Sequence, residues 1–160
     1  MNNQLDLSWK VWYHSINNNS WANDSYKHIF SIENVFDIKV MIDYLKQNYL
    51  QNGMFFIMKG DIFPTWESPE NREGCSISFK IPASNLKESW DLFLKKIITG
   101  EIVKESDKFS EINGFSISPK KEFNIVKLWL KTNDLEFINS MNEYPPYFVS
   151  EKSIHRKHLS

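Results

Sequence analysis

The chain has little of what secreted or catalytic domains are usually built around. One cysteine, Cys75, stands among 160 residues. A lone thiol excludes an internal disulfide and fits a reducing compartment. His14, His28, His155 and His158 fall in no metal-ligand spacing, and no glycine-rich phosphate loop is present. Cys75 has no local histidine or aspartate signature, and the carboxylates Glu67 and Glu70 are what any acidic loop supplies. The expectation is therefore no catalysis, no metal and no cofactor. No apolar run is long enough to span a bilayer, so no membrane contact is expected. The opening Met1–Asp6 lacks the basic-then-apolar order of a signal peptide, which predicts a cytoplasmic or also nuclear protein. In that setting the Asn-x-Ser triplets at Asn18 and Asn23 stay unglycosylated. Net charge is only −1, so any contact with nucleic acid must come from a local patch of cations.

What the chain holds instead is aromatic surface. Aromatics make up 15% of it and six residues are tryptophan, against five glycines. A core of this size does not easily hide six indoles, so some are free to serve a ligand.

Residues 1–7 read as a flexible tail. Trp9, Val11 and Tyr13 alternate with Ser8, Lys10, Trp12 and His14, which predicts a strand with an aromatic on each face. Ser15–Asp24 is a polar loop that carries Trp21 with little apolar surface near it. Tyr26–Ile32 is a second strand. Asn34 is an N-cap with Asp37 at the third helical position, and Val35, Ile38, Ile42 and Leu45 predict one helix to about Asn48. Met54–Met58 reads as a buried strand after Gly53, and Ser76–Ile81 as another. Asn85 to Glu88 resembles a capping box, opening a helix that carries Leu86, Trp90, Phe93, Leu94 and Ile97 to the stop at Gly100. Glu101–Ser110 reads as charged and mobile. Phe115–Ser118 and Phe123–Leu130 are strands, the second with Phe123, Ile125, Lys127 and Trp129 on one face. Asp134–Met141 predicts a short third helix and Tyr147–Val149 a last strand, followed by a flexible tail over 150–160. The sum is a single α+β domain over 1–160 with a mostly antiparallel sheet.

The stretch Ile62-Phe63-Pro64-Thr65-Trp66-Glu67-Ser68-Pro69 concentrates the chemistry. Proline on both sides bars a helix and stiffens a loop between strands. Trp66 offers a flat π face, and Glu67 two acceptor oxygens beside it. A planar ligand with neighbouring N–H donors, such as guanine, matches that pair.

The spacing of several such features resembles the translation initiation factor 4E family, which binds the 7-methylguanosine cap of messenger RNA. Trp9 and Trp12 resemble its opening W-x-x-W, Asn19-Ser20-Trp21 its first cap-stacking loop, and Pro64-Thr65-Trp66-Glu67 its P-x-W-E. Trp90 with Gly100-Glu101 resembles the second helix and its end, and Gly114 with Trp129 frames the phosphate-binding hairpin. The resemblance implies a curved sheet of about seven or eight strands backed by two or three helices. It implies that Trp21 and Trp66 sandwich the methylated base, that Glu67 accepts from guanine N1–H and N2–H₂, and that Trp129 lies against the N7 methyl. Lys120 stands where the family has an arginine that meets the cap phosphates. A family lysine five residues later is replaced by Ile125, leaving Lys121, or Arg156 and Lys157 of the tail, to compensate.

The resemblance also implies a partner-helix face at Val35, Lys39, Trp90 and Asp91. Lys39 occupies the place of an anchoring tryptophan there, which predicts weak binding of the standard scaffold helix, or a non-standard scaffold or regulator. Three roles stay open: an initiation factor, a cap-competing repressor without the scaffold contact, and an interaction module that has lost the cap.

Overall fold

The computed structural model describes residues 4–159. Its elements in order are strands β1 (Gln4–Ser15) and β2 (Lys27–Asn34), helices α1 (Val35–Tyr44) and α2 (Gln47–Asn52), strands β3 (Gly53–Lys59) and β4 (Cys75–Pro82), helix α3 (Leu86–Ile98), and strands β5 (Ile112–Pro119), β6 (Phe123–Leu130) and β7 (Ile154–Lys157). All seven strands form one antiparallel sheet in the order β2-β1-β3-β5-β6-β4-β7. Register shifts in β1 and at the start of β5 mark bulges, which bend strands.

Alternation sorts the side chains into two layers. One face carries Trp9, Val11, Ile57, Phe115, Val126, Leu128, Ile77 and Phe79, all buried in the main core with the apolar stripe of α3. The stripe is what the spacing predicts: Leu86, Trp90, Phe93, Leu94 and Ile97 are fully buried. The opposite face stays open. There a smaller cluster of Tyr26, Phe56, Met58 and Trp129 packs with Trp12, Met54, Ile62 and Phe63.

Glycine and serine flank β6 on this open face. Trp129 is paired with Gly114 and Ser76, Lys127 with Ser116 and Ser78, and Ile125 with Ser118 and Lys80. Small side chains on both neighbours leave Trp129 and Lys127 at the bottom of a trough, which Lys80 borders beside Ile125. Gly114 is required by close approach, since a Cβ there would sit 2.6 Å from the Ile57 carbonyl oxygen.

Caps fix the helix ends. Asn34 accepts from the Asp37 N–H at 2.9 Å, and the Asp37 carboxylate accepts from the Glu33 N–H at 2.9 Å. Gly100 closes α3 at a φ of 81°, a left-handed conformation that favours glycine.

Several expectations need correction. The first helix is two: Leu45, fully buried, leaves helical geometry at ψ 78° and α2 restarts at Gln47. Asn85 does not cap α3 with its side chain; it bonds Glu88 instead and accepts from the Tyr147 hydroxyl at 2.7 Å. The supposed N-terminal tail is strand from Gln4, and Met1–Asn3 lie outside the described residues. Glu101–Ser110 is folded, with Ile102 and Val103 buried and Ser106–Glu111 in a 3-10 helix. The third helix is only the 3-10 turn Phe137–Ser140. Tyr147–Val149 is not a strand; Phe148 makes an isolated bridge to Tyr144. The last strand lies in the supposed C-terminal tail, at Ile154–Lys157, where it pairs with β4.

Candidate ligand-binding site

A cavity of about 510 Å³ opens on the uncovered face of the sheet. Its floor is an aromatic relay in edge contact: Tyr26 meets Phe56 at 5.6 Å and Phe56 meets Trp129 at 6.2 Å. The Trp129 indole N–H donates to Ser116 Oγ at 3.0 Å, which orients that ring in the floor. Trp21, Trp66, Glu67, Lys120 and Lys127 are among the other residues that line it. Trp21 and Trp66 are 56% and 45% exposed, so each has an indole face free for a ligand.

The Trp21 indole is held from behind, and the loop that carries Trp66 is tied to the sheet. Trp21 stacks on the fully buried His14 ring at 4.2 Å and an interplanar angle of 10°. His14 is itself fixed, with its ring nitrogens 2.9 Å from the Ser15 carbonyl oxygen and 2.8 Å from that of Ser20. Trp21 in a polar loop therefore finds its support on β1.

The Trp66 loop is organised by Asn71. This fully buried side chain donates to the carbonyls of Phe63 at 3.0 Å and Thr65 at 2.9 Å. Its own oxygen accepts from Asn113 of β5 at 2.9 Å. One amide thus ties the loop to itself and to the sheet. Phe63 anchors the same loop on Trp12 at 5.1 Å and Tyr26 at 5.3 Å. Burial, and next the nearby Glu67 charge, push the Tyr26 phenol up to about 12, which puts the Glu67 carboxylate within electrostatic reach of the floor.

Cations gather at one side. A neighbouring cavity of about 340 Å³ is lined by Trp66, Trp129, Lys127, Arg156, Lys157 and His158. Burial, then the charges of Lys120 and Arg156, hold the Lys127 ammonium below its usual range. Like charges crowded this way are relieved by an anion. Strand β7 supplies Arg156 opposite Ser76, and His158 closes the loop by donating from Nδ1 to the Asn71 carbonyl at 2.6 Å.

These features have a counterpart in known proteins. The profile of the family described as eukaryotic initiation factor 4E matches residues 4–144. The chain belongs to the initiation factor 4E family. It is 28% identical over 140 residues to eukaryotic translation initiation factor 4E of Saccharomyces cerevisiae, covering 82% of this chain and 63% of that protein. The chain therefore spans under two thirds of the length of that relative. Its fold matches Ascaris suum eIF4E-3, solved in complex with m7G cap, at a TM-score of 0.75 and 19% identity over 87% of this chain and 79% of that one. C. elegans eIF4E-3, solved with the 4E-binding protein Mextli, matches at a TM-score of 0.73 and 18% identity, over 87% and 81%.

Of the residues singled out as an initiation factor 4E site, Trp21, Trp66, Glu67, Trp129 and Lys120 line one cavity. Lys121 is exposed in the turn and lines neither cavity. Lys127 was missed as a site residue although the β6 alternation had placed it beside Trp129; Asn71 was missed because nothing local marks it. On the helical face, Val35 is exposed and Lys39 pairs with Asp43 at 2.9 Å. Both line a groove of about 750 Å³ with Ile38, Ile42 and Leu92. Trp90 is corrected: it is fully buried beside Phe115 and offers no surface to a partner. Asp91 is half-buried and pairs with Lys87 at 2.7 Å. The Cys75 thiol, buried and pushed up to about 11, is a poor nucleophile.

Proposed function

We propose that this chain binds the 7-methylguanosine 5′ cap of messenger RNA and acts in translation initiation, as a binding protein and not an enzyme. The observation that carries the reading is the convergence of two exposed indoles, Trp21 backed by His14, one carboxylate and two lysines on a single cavity, with further cations in the cavity beside it. Relatives of the same fold solved with cap support it.

The chemistry follows from the residues. Methylation at N7 gives guanine a delocalised positive charge, and Trp21 and Trp66 close on its two faces. Stacking contributes on the order of 1–3 kcal/mol per base, with a cation–π contribution on desolvation. Glu67 accepts from N1–H and N2–H₂, and an ionised acceptor makes those bonds stronger than neutral ones. The Trp66 backbone N–H meets O6. Adenine presents the wrong edge to both groups. Trp129 lies against the methyl group. Lys120 and Lys127 take the phosphates, and Arg156 of β7 stands in for the lysine replaced by Ile125.

The helical face favours a second reading of role. A charged pair at Lys39 and Asp43, with Trp90 turned into the core, leaves the groove without an aromatic in its lining to anchor a scaffold helix. Cap occupancy without recruitment then represses translation, unless a non-standard scaffold uses the groove.

Retention on immobilised 7-methyl-GTP tests the proposal. The chain is expected to bind and to elute with free 7-methyl-GTP but not with GTP. Passage through the column without retention leaves an interaction module that has lost the cap.

A further inference from the structure

The trough along β6 does not end at the cations. Two residues beyond Lys127 on the same face lies Ile125, and two further lies Phe123, each step about 7 Å along the strand. Here a further cavity of about 540 Å³ opens, lined by Lys80, Phe123, Ile125, Tyr147, Lys152 and Ile154 among others. It is continuous with the phosphate side: its Ser78 is the cross-strand partner of both Lys127 and Ile154.

No carboxylate lines this cavity, and two lysines rest on aromatic rings at its sides. The Lys80 ammonium sits 4.3 Å from the Phe123 ring centre and the Lys152 ammonium 5.8 Å from that of Tyr147. Neither lysine forms an ion pair among the described residues. The Tyr147 hydroxyl is anchored on Asn85, so its ring is held in place. An aromatic platform flanked by unpaired cations suits a base and its phosphate better than a peptide, because every base has a π face and every nucleotide brings a charge.

We propose that this groove is a subsite for the RNA nucleotide that follows the cap triphosphate, its base on Phe123 and Ile125 and its phosphate between Lys80 and Lys152. The assignment rests on the cap-binding reading, since the triphosphate over Lys127 and Lys120 delivers the chain to this end of the trough. The subsite makes no demand on base identity, because stacking carries it.

The test is competition binding of 7-methyl-GTP and of a short capped oligoribonucleotide to wild-type protein, Lys80→Glu and Phe123→Ala. The oligonucleotide is expected to bind at least about fivefold tighter than 7-methyl-GTP to wild type, with most of that gain lost in each variant while 7-methyl-GTP binding stays within about twofold. Lys80 is exposed, so its variant folds even where Phe123→Ala does not. If 7-methyl-GTP binds but the oligonucleotide gains nothing, or its gain survives Lys80→Glu and Phe123→Ala, the groove is not a nucleotide subsite and the cap reading stands. If 7-methyl-GTP itself fails to bind, the cap reading falls and the subsite with it.

Discussion

The two faces of the sheet treat the same residue types in opposite ways. On the helical side three cations are paired within the fold, Lys39 with Asp43, Lys87 with Asp91 and Lys96 with Glu101, while Lys95 forms no ion pair among the described residues. On the open side Lys80, Lys120, Lys127, Lys152 and Arg156 form no ion pair among the described residues, whereas Lys10 pairs with Asp61. The tryptophans divide likewise. Trp9 and Trp90 are closed into the core under the helices, whereas Trp21 and Trp66 keep exposed faces. Aromatic surface and charge that folding leaves unused point to something outside the chain. The difference teaches where an anionic, planar ligand goes.

The largest effect is expected at the open indole. Trp66→Ala and Glu67→Ala should each weaken 7-methyl-GTP binding by about 10- to 100-fold, the range of one lost stacking face or charged acceptor. Calorimetric titration measures it, and thermal melting should barely move because both side chains are exposed. A variant at either position that binds normally breaks the contrast between the faces.

Next comes the support behind the loop. Asn71→Ala leaves two carbonyls and the Asn113 amide short of a partner, at about 1–3 kcal/mol of stability. Chemical denaturation should show that loss, accompanied by weaker 7-methyl-GTP binding as the Trp66 loop loosens.

Lys127→Ala sharpens the contrast through salt. Losing one phosphate contact should lower the slope of log affinity against log salt by about one. Lys39→Ala on the helical face should leave that slope unchanged. Equal changes in the two variants would mean that charge acts on the cap only at long range.

The smallest effect is a pH dependence at His158. Burial above all, and further the Lys127 charge, hold its imidazole below the usual range, against the opposing bond to the Asn71 carbonyl. The folded state therefore binds a proton less readily than the unfolded one. His158 costs no stability above its ordinary value near 6.5 and reduces stability as pH falls below it. His158→Gln should flatten the difference between melting curves at neutral and mildly acidic pH.

Much of the site was legible in the sequence because its signals are local. Pro64 and Pro69 announce a stiff loop, Trp66-Glu67 its chemistry, and the period-two pattern of β6 the shared face of Ile125, Lys127 and Trp129. What escaped depends on distant partners. Asn71 matters through Asn113, forty-two residues away, and nothing near it marks a hub. Strand β7 looked like a polar tail because all four of its residues are exposed and only pairing with β4 makes it a strand. The break between α1 and α2 carries no glycine or proline; burial of Leu45 turns the chain there. Trp90 sat correctly on its helix, but the resemblance alone could not tell which side of that helix faces the core.

Tryptophan fluorescence during titration with 7-methyl-GTP, with GTP as control, tests the central claim most directly. Stacking of the methylated base between Trp21 and Trp66 should quench emission strongly, saturably, and hardly at all with GTP. Equal quenching by both nucleotides, or none by either, would contradict cap recognition and leave the open face without its ligand.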